Sequence, residues 1–142
     1  MKQLIKRSFS SSTTQNNISI ALLILRVVIG VMMLTHGLGK LTMLFGNDPI
    51  QFADPMGVGL TASLALAVFA EVFCSLFLIL GVATRFSAIS LSITMFIAAF
   101  IVHANDDFAV KEMALLYLLI YVVLAIVGAG KYSIDNWLSK KI

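Results

Sequence analysis

Apolar residues in this chain gather into four runs, about Ile18–Leu38, Val58–Val82, Ala83–Ala104 and Ala109–Gly128. Each is close to the ~20 residues a helix needs to cross the hydrocarbon of a bilayer. Within lipid a segment must satisfy its own backbone hydrogen bonds, so runs of this length are helices. The links are short: the second and third runs meet at a turn near Gly81 and Arg85. Gly128 and Gly130 close the fourth, with Lys131 beyond. The pattern predicts an all-α integral membrane protein, a four-helix bundle of up-down-up-down topology. Composition agrees, at 60% hydrophobic and 12% charged, where a soluble domain carries about 25% charged residues.

Charge placement orients the bundle. With both termini cytoplasmic, Lys2, Lys6, Arg7, Arg85, Lys131, Lys140 and Lys141 fall on the inner side, and only Lys40 and Lys111 on the outer side. The net charge of +3 is therefore spent on topology, and nothing in it points to nucleic acid. Residues 1–17 are polar, basic and Ser/Thr-rich, and no apolar stretch follows the basic start directly as in a signal peptide. They are expected to form a disordered cytoplasmic tail, with Asn17 or Ser19 capping the first helix. The membrane domain is then 18–130, and 131–142 a second cytoplasmic tail. Trp137, Tyr132 and Tyr121 stand where interfacial anchors stand. The outer loop from Lys40 to Gly57 holds Phe45, Ile50 and Phe52 among turn residues. It either lies on the membrane surface or folds over the bundle mouth.

The informative residues are the polar ones inside the apolar runs. Glu71 sits mid-run, where a charge costs roughly 2.5–3.5 kcal/mol even on the mildest insertion scales. It needs a partner. Arg26 lies about 12 Å into the first helix and Glu71 about 17 Å from the cytoplasmic end of the second, at 1.5 Å per residue. An Arg26–Glu71 ion pair is the expected solution, either as a structural lock on the two helices or as a proton-handling pair. His36 and Lys40, spaced i and i+4, share a stripe with Arg26 within an arc of about 80°. His103 ends the third helix and Glu112 begins the fourth, so His36, Lys40, His103 and Glu112 are expected in one outer layer. Each has a plain alternative: Lys40 snorkelling outward, Glu112 favoured by the helix dipole, His103 marking the interface.

Such a layer suits a quinone. Histidine and lysine donate hydrogen bonds to its carbonyls, and carboxylates manage the protons of its reduction. His36 and His103 as axial haem ligands are the weaker option, since the chain has only two histidines. No H-x-x-x-H spacing supports a metal, and none is expected. The single cysteine, Cys74, permits neither an internal disulfide nor a C-x-x-C pair.

Residues 20–136 resemble the DoxX family of small bacterial membrane proteins. The resemblance is carried by LRVVIGVMMLTHGLGKL at 25–41, AEVFCSLFLILGVATRFSA at 70–88, MFIAAFIVH at 95–103 and EMALLYLLIYVVLAIVGAGKYSID at 112–135. It implies an inner-membrane four-helix bundle, similar to the small membrane subunit of thiosulfate:quinone oxidoreductase, working beside a redox or sulfur-metabolism protein. It marks Arg26, His36, Gly37, Lys40, Glu71, Arg85, His103 and Glu112 as positions of interest. Three functions follow as expectations: a quinone-interacting subunit, a non-enzymatic anchor or assembly factor, and a small-molecule or proton-coupled carrier. Partners are the lipid bilayer, the redox protein and, for so small a bundle, a second copy of the chain, although no zipper-like face specifies one.

Overall fold

The computed structural model describes residues 14–141, and among these every regular element is a helix. Four are long and apolar enough to span a membrane: α1 (Gln15–Phe45), α2 (Leu60–Leu80), α3 (Thr84–Val102) and α4 (Phe108–Val127). A short α5 (Ile134–Ser139) follows. Residues 1–13 of the expected tail lie outside the described residues. Residues 15–17 do not belong to a tail, because α1 begins at Gln15, where the Thr14 hydroxyl accepts from the Asn17 amide at 3.3 Å. Ser19 is buried instead of capping, its hydroxyl donating to the Gln15 carbonyl. At 31 residues, α1 is about 46 Å long and outruns the hydrocarbon, so its last turns stand clear of the span or the helix tilts.

The core follows helical spacing on every span: Leu22, Ile29 and Met33; Ala70, Cys74 and Leu78; Ala88, Leu91 and Met95; Tyr117, Tyr121 and Leu124. Leu64, Val68 and Val72 form a second buried cluster, and many of the other large apolar side chains point outward, as they do against lipid. Tyr121 is thus no interfacial anchor. It lies on the inward face of α4 and is fully buried. Two glycines set the distance between α1 and α2. A Cβ at Gly30 would sit 2.6 Å from Ile79, and one at Gly37 would sit 2.9 Å from the Glu71 backbone. Small residues at such crossings let membrane helices approach closely. Gly30 meets Ser75 and Ile79 while Gly37 meets Glu71 and Val72, so α1 and α2 run in opposite senses.

At one end of the bundle the chain folds into a polar knot. Gly81, in the left-handed conformation, stops α2 with paired bonds from its own amide to Leu78 and from the Val82 amide to Phe77. The Asp135 carboxylate accepts from the Ala83 and Thr84 amides at 2.8 and 2.9 Å, capping α3. The Asp135 amide donates to the Gly81 carbonyl. Residues 131–139 are therefore a structural part of the bundle, which corrects their reading as a tail.

The loop between α1 and α2 is folded, not splayed. Ile50 and Phe52 pack on Leu64, Val68 and Val72. The Asp54 carboxylate accepts from the Val58 and Gly59 amides and the Ser63 hydroxyl at 2.7–3.0 Å. These donors, the Ser63 hydroxyl first, hold the Asp54 carboxyl below the usual carboxylate range.

Candidate functional site

Glu71 is 1% exposed, and its partner is Lys40, whose ammonium meets Glu71 Oε1. The expected Arg26–Glu71 pair is not formed. Arg26 instead donates to the carbonyls of Ala129 at 2.5 Å and Tyr132 at 2.8 Å, inside the polar knot. The cause is the tilt of helical side chains toward their own N-terminus. On α1 that tilt carries Arg26 away from the bundle centre and brings Lys40 back into it. On the oppositely running α2 it aims Glu71 at Lys40. Lys40 accordingly does not snorkel outward.

Local backbone re-aims the site further. Phe69–Cys74, around Glu71, and Ala98–Val102, leading to His103, are π-helical. The wider turn rotates the residues after it and recurs at functional sites. His103 ends the second segment, and its Nδ1 pairs with Asp106 Oδ2 at 2.7 Å.

Two cavities meet at these residues. The larger, about 280 Å³, is bounded by Phe52, Pro55 and Met56 of the outer loop and by Leu66 and Ile97 of the spans. The smaller, about 200 Å³, is bounded by Met33, His36, Met95, Met113 and Tyr117. Lys40, Glu71, Ala98 and His103 line both. The Phe52 ring lies 5.6 Å from the Lys40 ammonium and stacks a π-face against the cation. Glu71 Oε2 is buried and has no protein partner. The arrangement is an acid, an amine and an imidazole on the wall of a mostly apolar space, able to hold a small ligand with hydrogen-bonding oxygens and to pass it a proton.

Of the four residues expected in one layer, the structure unites Lys40 and His103 with Glu71. His36 joins the smaller cavity only, edge-on to Tyr117 at 5.9 Å. Glu112 stands apart and is exposed. It lies on the opposite face of α4 from Tyr117, five residues or about 500° away. Sequence reasoning passed over Asp106, which had a signal in its i, i+3 spacing from His103. It also passed over Tyr117 and the anchoring role of Asp54, which had no signal apart from the fold, whereas Phe52 stood out as an apolar residue in the loop expected on the membrane surface or over the bundle mouth.

Four apolar spans around a buried acid paired with a half-buried amine define a polytopic membrane protein with an intramembrane polar site. The chain belongs to the DoxX family, whose model matches residues 21–104. That match takes in Arg26, His36, Lys40, Glu71 and His103. Over 126 residues the chain is 30% identical to the inner membrane protein YqjF of Escherichia coli K12, covering 86% of this chain and 95% of the relative. It is 35% identical over 129 residues to an uncharacterised protein of Haemophilus influenzae, covering 82% and 90% respectively. No solved structure matches significantly.

Proposed function

We propose that the chain binds a membrane quinone at the Lys40–Glu71–His103 site and serves as the inner-membrane component of a quinone-linked redox system. The observation that carries this reading is the convergence of these three side chains on a largely apolar cavity of about 280 Å³. Lys40 and His103 supply donors for ring carbonyls. Glu71, with one oxygen unpartnered, supplies the proton store that quinone reduction needs. Phe52, Pro55 and Met56 close the cavity from the loop side and would shield a bound ring from water. Electrons come from a partner protein, because a single buried thiol is the chain's own redox inventory. The excess of Lys and Arg at the Arg26 end supports a cytoplasmic position for that end, with the ligand site and its partner toward the opposite face.

The test is a solvent extract of detergent-purified protein, analysed by mass spectrometry. A near-stoichiometric quinone, lost in the Lys40→Ala/His103→Ala variant, supports the site. A quinone-free protein whose cellular role survives both substitutions leaves the chain as an anchor or assembly factor.

A further inference from the structure

A buried hydroxyl without a partner is costly, so native interiors hold few and supply them with ordered water. Among the described residues this bundle holds five of them, on three spans. Tyr117 lines the smaller cavity beside Glu71. One turn along α4, Tyr121 stacks on Tyr117 with ring centroids 5.9 Å apart. On α2, Ser75 follows Glu71 by about one turn. On α3, Ser87 and Thr84 share a face at i and i+3, and both are buried. The hydroxyls of Tyr117, Tyr121, Ser75, Ser87 and Thr84 are all buried and meet no protein partner. Thr84 in turn lines an open cavity of about 390 Å³ that it shares with Arg85, Ser133 and Asp135 in the polar knot. From Glu71 to the end of α2 the helix covers about 13 Å. The two cavities lined by Lys40 and His103 also reach Glu71.

We propose that this seam is a hydrated proton path that joins Glu71 to Thr84 and the open cavity at the Arg26 end. Glu71 then draws its proton from the membrane face opposite the one its ligand cavities approach. Each hydroxyl oxygen accepts one proton while releasing its own, so its composition is unchanged after each passage. Only the Glu71 carboxylate gains or loses a proton, and Lys40 keeps its charge. What the proton is used for rests on the quinone reading; the path does not.

The test uses the full chain in proteoliposomes with a trapped pH dye and a potassium diffusion potential. Proton flux is expected above that of protein-free vesicles. It falls at least fivefold in Tyr121→Phe and in Ser75→Ala/Ser87→Ala, and to the protein-free level in Glu71→Gln. Flux at the protein-free level in the wild-type chain, or flux unchanged in both seam variants, overturns the path. Should the variants fail to fold, the wild-type chain still decides. Cys74 is fully buried and reacts with aqueous silver ion only if water reaches the seam; complete protection overturns the path. Quinone content is read separately. Flux without quinone keeps the path and removes the ligand site, and quinone without flux does the reverse.

Discussion

Both ends of this bundle bury a charge, and they treat it in opposite ways. At the Arg26 end the guanidinium reaches two backbone carbonyls, Ala129 and Tyr132; its Nε is left without a protein partner, but none of the described cavities is lined by Arg26. The neighbouring Asp135 spends both oxygens on the start of α3. These contacts tie α1, the α2–α3 turn and the segment after α4 into one piece. At the Lys40 end the Glu71 carboxylate has one oxygen on Lys40 and one on nothing, with a cavity on either side. A buried charge whose partners are backbone carbonyls is part of the fold. A buried charge with unused bonding capacity beside open space is available to a ligand.

Substitutions that separate these roles sharpen the comparison. Arg26→Met should have the largest effect, since it strands two carbonyls and unties α4 from α1. A loss of about 3–5 kcal/mol is expected, read as a lower detergent melting temperature and low abundance. Arg26→Lys should recover little, because one ammonium cannot reproduce the planar fork. Lys40→Met should cost less, about 1–3 kcal/mol, because the lysine is partly exposed and Glu71 can take up a proton. The double variant Lys40→Met/Glu71→Gln should regain most of that loss while its quinone content stays at zero. If Arg26→Met leaves stability intact, or the double variant still binds quinone, the division between a structural and a functional end is wrong.

Much of this was legible in the chain. Span count and class follow from apolar run length, and the polar residues announce themselves because lipid tolerates so few. What could not be read was the pairing. Arg26 and Glu71 have matching depths measured from the ends of their runs, but depth of Cα is not depth of charge. Side-chain tilt on oppositely running helices moves Arg26 and Glu71 apart and Lys40 and Glu71 together. Glu112 was drawn into the site by its level, and removed by its face. The π-helical turns at Glu71 and before His103 break the 3.6-residue register that such wheel arguments assume. The role of Asp135 was hidden for another reason: it lies about fifty residues from the helix it caps, in a stretch whose composition reads as a tail.

Smaller effects test how the site is held. Gly37→Ala would press a methyl group against the Glu71 backbone, for a cost of about 1–3 kcal/mol and a displaced carboxylate. Gly39→Ala, two residues on, meets nothing within 4 Å and should be neutral or gain up to about 1 kcal/mol in helix propensity. Comparing the two melting temperatures, with Glu71 protonation followed by infrared absorption, separates packing at the site from propensity. If the two variants behave alike, α1 does not clamp the π-helical turn.

The smallest expected effect concerns the loop. The Asp54 carboxyl titrates below its unfolded value of about 3.9, so its hydrogen bonds stabilise the docked loop fully above that value. That contribution is lost as pH falls through the lower folded value, when the carboxylate protonates. Limited proteolysis between Gly46 and Gly59 should therefore stay slow from neutral pH down past the ordinary carboxylate range, and quicken only below it. Asp54→Asn, unable to accept from all three donors as a charged group, should be cut faster at neutral pH and show little change on acidification. A wild-type loop that opens at pH 5–6 would mean that some group other than Asp54 holds it over the cavity.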